Sequence, residues 1–379
     1  MVDIKLIGSR IKELRQKKGL TQNELASTLA VSFQAVSNWE RGIAPPELEN
    51  LIGIASFFGV LVDDLLCPPR DELYLGIDGG GTKTEFAVVS ADGFVFKQFK
   101  CEGCNPNDVG FAKTSSIICD GIAETLIEFP SVKTVFAGIA GISAGNNTEH
   151  LLLDIKKRFP ALKAKVSNDS LSLLAMEDSA DMAVISGTGS VVFVKNGDSL
   201  VRLGGWGYLL DNAGSAYDIG RDALRATLEA EDLLKPATTL GKLLCKQLNT
   251  KTAWESIGAV YSGGKPFVAS LAAAVFEAYA KGDATASEIV DRNAKALADL
   301  LNAGTRLYGA GEVAIASGGI FEHYPEIMIS HIGKYSDVKI VISDLPPIYG
   351  ACRKAVAVGA KEGEGFYGNF KKSYGGTKQ

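Results

Sequence analysis

The stretch LYLGIDGGGTKTE, residues 73–85, places an apolar run directly before an aspartate and three successive glycines. Residues 73–77 and 86–89 are predicted strands, and the short connection between them predicts a β-hairpin. Glycines 79–81 at its tip have no Cβ atoms, so backbone amides there can approach an anion closely. The alternative is a glycine-rich turn without any ligand.

The polar residues around this tip suit phosphate chemistry. Thr82 and Thr84 would add hydroxyl donors, and Asp78 at the strand end would hold hydrated Mg²⁺ beside the phosphates, through water. The spacing matches neither a Walker A motif nor a Rossmann G-x-G-x-x-G. We therefore predict a phosphate loop on a β-hairpin.

Composition favours a multidomain protein outside the membrane. A chain of 379 residues with 46% hydrophobic residues can bury two or three cores, and its net charge is −5. The N-terminus is charged and amphipathic, and no run of about 18 apolar residues occurs. We expect a soluble, cytoplasmic protein without a membrane partner. Six cysteines in a chain of this length do not form a disulfide framework.

Residues 1–67 are dense in helix signals. Apolar residues recur at helical spacing over residues 4–14, and Thr21 with Glu24 forms a predicted capping box. Ser32 can cap a third helix, residues 33–41, after a short turn. Two short helices so connected predict a helix-turn-helix within a five-helix domain.

The segment LTQNELASTLAVSFQAVSNWERG resembles the lambda-repressor-like DNA-binding domains of the XRE family. The resemblance implies that residues 33–41 are the recognition helix, with Gln34, Ser37 and Asn38 facing base edges of double-stranded DNA. Gln22 and Arg41 would contact phosphates. Residues 1–67 contain seven Lys and Arg against eight Asp and Glu, so the domain is not basic overall. We expect it to bind DNA as a homodimer; the alternative is a bundle used for protein contacts.

Beyond residue 67 the pattern changes to strands alternating with helices, which predicts an α/β core. The turn SGTGS at residues 186–190 lies between two predicted strands and repeats the pattern of the first hairpin. Two lobes, each with a phosphate hairpin, would clamp a nucleotide between them. The predicted division is a 68–71 linker, a first lobe 72–170, a second lobe 171–345, a C-terminal helix 346–362 that packs back on the first lobe, and a flexible tail 363–379.

Five motifs occur in series: IDGGGTKTE, SNDS, ISGTGS, GGWGYLL and ASGGIFE. Their order resembles the actin, hexokinase and Hsp70 ATPase superfamily. More narrowly, residues 73–362 resemble the BadF/BadG/BcrA/BcrD ATPase family and its N-acetylglucosamine kinase branch. The resemblance implies a two-lobed, actin-like (ribonuclease H-like) α/β fold that uses ATP and Mg²⁺ to phosphorylate an amino sugar.

The same resemblance implies roles for individual residues. Asp78 would position Mg²⁺, and Asp169 would be the general base for a sugar hydroxyl. The alternative for Asp169 is that it only caps the helix beginning at Ser170. Residues implied in nucleotide binding are Gly80, Gly81, Thr82, Lys83, Thr188, Gly189, Gly318 and Gly319.

Sugar contacts are implied for Asn105 and for the loop Gly205, Trp206 and Gly207, where Trp206 could instead be an ordinary core aromatic. The chain departs from the family where sugar kinases commonly have GDEGS, because it has DNAGS at residues 211–215. Asn212 replaces the substrate-binding aspartate, although Asp211, one residue away, could substitute for it. This departure leaves sugar identity and turnover open.

Related activators of acyl-CoA dehydratases bind an iron–sulfur cluster between two subunits. Cys101 and Cys104 could supply two thiolates from each subunit, but two neighbouring core or loop cysteines is the simpler interpretation. We predict a sugar kinase-like ATP-binding domain coupled to DNA binding. The alternatives are a sensor without turnover and an ATPase that energises a partner enzyme.

Overall fold

The computed structural model describes residues 4–66, 72–197, 199–211 and 214–375. Its N-terminal part is the predicted five-helix domain. The capping box at Thr21 is confirmed, because Glu24 N donates to Thr21 Oγ1 at 3.2 Å and Thr21 N donates to Glu24 Oε2 at 2.7 Å. Ser32 Oγ caps the third helix by accepting from Ala35 N. The helices are α1 Ile4–Lys17, α2 Gln22–Thr28, α3 Phe33–Glu40, α4 Leu48–Phe58 and α5 Val62–Leu66.

A buried ion pair fixes α3 on α1. Arg15 Nε lies 2.6 Å from Glu40 Oε1, and the Glu40 side chain is 2% exposed. Arg15 Nη1 also donates to the carbonyl of Leu20. Two charges buried with several hydrogen bonds define one orientation of α3 against the rest of the domain.

The first sheet has the order β3-β2-β1-β4-β5. Strand β1 pairs antiparallel with β2 and parallel with β4. One face of the sheet packs on α7 and α8, and the other packs on α17 and α18. The elements are β1 Leu73–Gly79, β2 Lys83–Val89, β3 Val95–Glu102, α6 Pro106–Val109, α7 Phe111–Glu128, β4 Val132–Ile139, α8 Asn147–Arg158, β5 Lys163–Ser167, α17 Pro347–Gly359 and α18 Phe366–Ser373.

The second sheet, β10-β9-β6-β7-β8, repeats the first. Three strands form an antiparallel meander and the other two are parallel to its first strand. The repeat confirms the predicted two-lobed α/β fold. Its elements are α9 Ser170–Leu174, β6 Met182–Ser186, β7 Ser190–Asn196, β8 Ser199–Leu203, α10 Ala216–Glu231, α11 Thr239–Leu248, α12 Ile257–Ser270, α13 Ala272–Ala280, α14 Ala284–Tyr308, β9 Val313–Ser317, α15 Gly319–His323, α16 Pro325–Ile332 and β10 Lys339–Ile342.

The prediction of a flexible tail over residues 363–379 is wrong for α18. Phe366 and Phe370 are buried against the first sheet, at 2% and 0% exposure. Val95 N donates to Ser373 Oγ at 2.9 Å, which ties the helix to β3. The prediction followed the glycine-rich, polar composition and overlooked the helical spacing of the aromatic residues. Residues 376–379 and the predicted 68–71 linker lie outside the described residues.

The other predicted domain boundaries, at residues 170/171 and 345/346, stay predictions, although α17 packs on β1 as expected of a helix returning to the first lobe.

Among the described helices, no single one is both long and apolar enough to cross a membrane. Among the described residues, one pair of consecutive helices, Trp254–Ser270 and Ala272–Ala280, meets those requirements together by length and composition. The two helices are bent by 43° at the break between them.

Candidate active site

The first hairpin brings Asp78 to the tip of a tight turn. Asp78 pairs in register with Glu85, and Gly80 N donates to the carbonyl of Lys83 at 2.9 Å. Gly81, Thr82 and Lys83 are exposed at the tip, as a phosphate loop requires. The expectation for Thr84 is wrong, because its hydroxyl is buried and donates to the carbonyl of Glu102.

Three adjacent strands explain why Asp78 and Asp169 converge. Asp78 in β1 is aligned with Gly138 in β4, which is aligned with Ser167 in β5. These strands are parallel, so their carboxyl ends lie at one edge of the sheet. Asp169 follows Ser167 by two residues and therefore reaches the same edge.

The charge of Asp169 affects the titration of Asp78. Burial, the charge of Asp169 and the charge of Glu85 raise the pKa of Asp78 to about 7. Burial also raises the pKa of Asp169. The neighbouring backbone amide of Ser170 lowers this pKa, but its effect is smaller than that of burial. Carboxyl groups whose pKa values are raised in this way are typical of sites that bind cations or transfer protons. Asp78 offers the hard oxygen ligand that Mg²⁺ prefers, so the site fits this ion.

Asp169 does not cap α9. Its side chain makes no capping hydrogen bond, whereas Asn168 Oδ1 accepts from Ser170 N at 3.1 Å and from Ser170 Oγ at 2.6 Å. The capping role considered for Asp169 therefore belongs to Asn168. The carboxyl group of Asp169 remains available to the cleft.

The second hairpin adjoins the turn at Gly318 and Gly319, which is predicted to bind the nucleotide. Gly187 N donates to the carbonyl of Gly189, and Thr188 is exposed at the tip. A Cβ atom on Gly318 would lie 2.5 Å from the carbonyl oxygen of Ser186, so only glycine allows the two turns to approach this closely. Gly319 N is also near Gly187. The structure thus brings four of the eight residues predicted to bind the nucleotide together in two turns of the second lobe: Thr188, Gly189, Gly318 and Gly319.

A cleft of about 1190 Å³ separates the two sheets. It is lined from the first lobe by Asn105 and Asp169 and from the second lobe by Gly189 and the loop 205–211. The predicted residues that do not line it are Asp78, Gly80, Gly81, Thr82, Lys83, Thr188, Trp206, Gly318 and Gly319. The cleft therefore gathers most of the predicted sugar contacts and only one of the predicted nucleotide contacts.

The loop 205–211 is held by its own aspartate. Gly207 N donates to Asp211 Oδ2 at 3.0 Å, and Asp211 N donates to the carbonyl of Gly207 at 2.9 Å. Trp206 is 61% exposed and stacks against Arg202, with 4.3 Å between Cζ and the ring centroid. The interpretation of Trp206 as a core aromatic is therefore wrong. Asn212 lies outside the described residues.

Sequence patterns did not indicate Lys265, which lines the cleft from α12. Its Nζ lies 3.2 Å from the position that a Cβ atom on Gly189 would occupy, and 6.0 Å from the ring centroid of Tyr208. The helix is interrupted at Gly264, with φ 57° and ψ −150°. The glycine pair 263–264 predicts that break, but only the packing of α12 shows that Lys265 reaches the turn at residues 187–189.

Cys101 is exposed and Cys104 is buried. Burial raises the pKa of Cys104 to about 11, which keeps its thiol protonated. Within the described ranges, no group of three or more His, Cys, Asp or Glu side chains could hold a metal ion. The buried position of Cys104 favours the simpler interpretation of a core cysteine.

The residues predicted to contact DNA include Gln34 near the start of α3, Asn38 within it and Arg41 directly after it. Gln34 Nε2 and Arg41 Nη2 donate to Asn38 Oδ1 at 3.0 and 2.9 Å, and Gln22 Nε2 donates to Glu40 Oε2 at 2.7 Å. Gln34 and Arg41 are exposed. This network orders the polar side chains on the outer surface of the domain before any ligand binds.

Comparison with known families agrees with this architecture. Residues 75–355 match the BadF/BadG/BcrA/BcrD ATPase family, and residues 11–65 match a helix-turn-helix family. Over 57 residues, 15% of this chain and 28% of the other, the chain is 46% identical to the HTH-type transcriptional activator BcrR of Enterococcus faecalis.

The larger part resembles kinases in sequence and fold. An N-acetylmuramic acid/N-acetylglucosamine kinase of Clostridium acetobutylicum is 31% identical over 232 residues, which are 59% of this chain and 76% of that protein. A crystal structure of a putative N-acetylglucosamine kinase from Chromobacterium violaceum superposes with a TM-score of 0.56 at 18% identity. That match covers 75% of this chain and 99% of the other and concerns the fold.

Proposed function

Because this chain belongs to the BadF/BadG/BcrA/BcrD ATPase family, we propose that its two-lobed part is an ATP-dependent amino-sugar kinase. The observation that carries the proposal is the position of Asp169. This residue lines the cleft between the two sheets, lies close to Asp78 and makes no capping hydrogen bond. The similarity to an N-acetylmuramic acid/N-acetylglucosamine kinase supports an N-acylated amino sugar as the substrate.

In this proposal Asp169 accepts the proton of a sugar hydroxyl as its oxygen attacks the γ-phosphorus of ATP. The bond from that phosphorus to the β–γ bridging oxygen breaks, and ADP leaves. Asn105 and the loop 205–211 orient the sugar. Asp78 would hold Mg²⁺, which neutralises phosphate charge when bound. The groups that hold the nucleotide are Gly80, Gly81, Thr82, Lys83, Thr188, Gly189, Gly318 and Gly319.

The test is ADP release by the purified protein with ATP and Mg²⁺, against a panel of hexoses, hexosamines and N-acylated amino sugars. Stimulation by one sugar establishes the kinase and names its substrate. The absence of stimulation by every sugar, with nucleotide binding intact, would overturn the proposal of turnover.

A second candidate is a sensor that binds sugar or nucleotide without turnover. It is favoured by the sequence DNAGS at residues 211–215, where sugar kinases commonly have GDEGS, and by the use of the Asp211 carboxylate within its own loop. Sugars that raise the melting temperature without ADP release would identify this function.

We further propose that residues 4–66 bind double-stranded DNA as a pair in a homodimer, so that the protein is a sugar-responsive transcription regulator. Ligand binding can change operator affinity only if it favours one arrangement of the paired helix-turn-helix units. Light scattering tests the dimer. Operator affinity measured with and without saturating sugar and ATP tests the coupling, and identical affinities would disprove it.

A further inference from the structure

A second cavity, of about 270 Å³, lies between the two sheets and adjoins the cleft. We call it the interlobe cavity. Lys165 of β5, Lys195 of β7 and Lys354 of α17 line it, so its lysines come from both sheets and from the helix that returns to the first. Lys165, Leu171, Ser199 and Leu200 line both this cavity and the cleft.

The carboxylates of the cavity are already engaged. Arg353 lies 2.9 Å from Asp178 and 2.7 Å from Glu362, and its single positive charge balances one of these two carboxylates. The third, Glu177, accepts from Ser179 N and from Ser179 Oγ. The lining thus holds four cations, Lys165, Lys195, Lys354 and Arg353, against three carboxylates, which is an excess of one positive charge.

Lys354 has the most unusual environment of the three. It is partly buried, and none of the ion pairs among the described residues includes it. Burial lowers the pKa of Lys354, and the positive charges of Lys165, Lys195 and Arg353 lower it further. The negative charge of Asp178 raises this pKa, but by less. Lys195 has only a distant partner, Asp181, at 3.7 Å. Like charges gathered around a cavity favour an anion there.

We propose that the interlobe cavity binds the phosphate group of a small phosphate monoester, which the ammonium groups of Lys165, Lys195 and Lys354 recognise together. A phosphate dianion suits three lysines around one cavity better than a single carboxylate does, because it presents three strongly accepting oxygens. The cavity is large enough for a phosphate with a small organic body. This binding does not require turnover, although Lys165 also lines the cleft of the proposed kinase chemistry.

Binding at this position has a consequence for the lobes. One phosphate would join lysines of β5 and β7, which belong to different sheets. The ligand would then favour the arrangement in which those lysines are close, and so influence the adjoining cleft.

The test is calorimetric titration of the full-length protein with inorganic phosphate and, separately, with glucose 6-phosphate. Saturating Mg²⁺–ADP occupies the nucleotide turns throughout. We expect saturable binding that weakens at least about tenfold in Lys165→Met and in Lys354→Met. The exposed Lys165→Met keeps the test valid if the partly buried Lys354→Met folds poorly. Lys163→Met, on the same strand but outside the cavity, is the matched control and should bind as the unmodified protein does.

The two titrants distinguish a free anion from an ester. Tighter binding of glucose 6-phosphate supports a site for a phosphorylated metabolite, and equal binding supports a site for the phosphate group alone. Two results would overturn the proposal: no saturable binding of either compound up to about 10 mM, or equal affinity in the cavity variants and the Lys163→Met control.

Discussion

The phenolic hydroxyl of Tyr374 donates a hydrogen bond of 2.6 Å to Oε1 of Glu85, a residue 289 positions earlier in the chain. Glu85 is 2% exposed and pairs in register with Asp78. The C-terminal segment is therefore tied to the hairpin that carries the proposed phosphate loop.

Replacing Tyr374 by Phe should lower the free energy of unfolding by about 1–2 kcal/mol, because a buried carboxylate loses a hydrogen-bond donor while the ring stacking on Phe370 is kept. Urea denaturation measures the change. Tyr367→Phe, which removes a hydroxyl that donates to the exposed Asp344, is the control and should cost less. Equal losses in the two variants would show that the Glu85 contact adds nothing.

The raised pKa of Asp78 predicts a pH dependence. Its pKa is about 7 in the folded protein, against about 4 for an ordinary aspartate. Between these values the folded chain binds more protons than the unfolded chain, so the free energy of unfolding should fall as the pH rises from about 4 to 7. The contribution is at most about 4 kcal/mol.

Comparison with Asp78→Asn isolates this effect, since the variant keeps all other titrating groups. We expect the stability of the unmodified protein to decline relative to the variant over this pH range in urea denaturation. Mg²⁺ with ATP should reduce the decline, because a cation favours the charged carboxylate. Parallel pH profiles of the two proteins would contradict an Asp78 pKa near 7.

Replacing Asp169 by Asn should lower the rate of sugar phosphorylation by at least about 100-fold, because the base that accepts the hydroxyl proton is lost. ATP affinity should change by less than about twofold. A coupled ADP assay and titration with a non-hydrolysable ATP analogue provide the two measurements. Asp120→Asn, an exposed aspartate paired with Arg158, is the control. Undiminished turnover would remove Asp169 from the role of base.

Gly141→Ala should weaken sugar binding by about tenfold or more. Its φ is +74°, and a Cβ atom there would overlap the side chains of Asn105 and Asn107, so Asn105 would leave its position in the cleft. Gly145→Ala is a close control, because its φ is +59° but nothing lies within 4 Å of the new atom. Calorimetric titration with the sugar identified above compares them. Equal weakening in both would assign the effect to backbone strain.

Lys265→Met should raise the KM for ATP, because Lys265 is the cation beside the turn that contains Gly189. Lys265→Arg should restore much of the affinity, since a positive charge remains on a side chain of similar length. Lys281→Met, on an exposed lysine paired with Glu277, controls for the lost charge. An unchanged KM in Lys265→Met would place the phosphates away from this side chain.

Much of the architecture was predictable from local signals. The capping box at Thr21, the cap at Ser32 and the hairpin at 73–89 depend on interactions within a few residues, and all three occur in the structure. The repeat of strand, glycine turn and strand at 182–196 predicted the second lobe. The amino-acid sequence by itself thus determined the five-helix domain, the two strand hairpins with their glycine turns, and the family.

The tertiary structure decided what depends on residues far apart in the chain. It placed Asn168 and not Asp169 as the cap of α9, buried α18 against the first sheet, and brought Lys265 to the turn that contains Gly189. Burial and the fields of distant charges set the pKa of Asp78, and no local pattern records them. Local backbone preferences act within one turn or strand, whereas burial is a property of the whole folded chain.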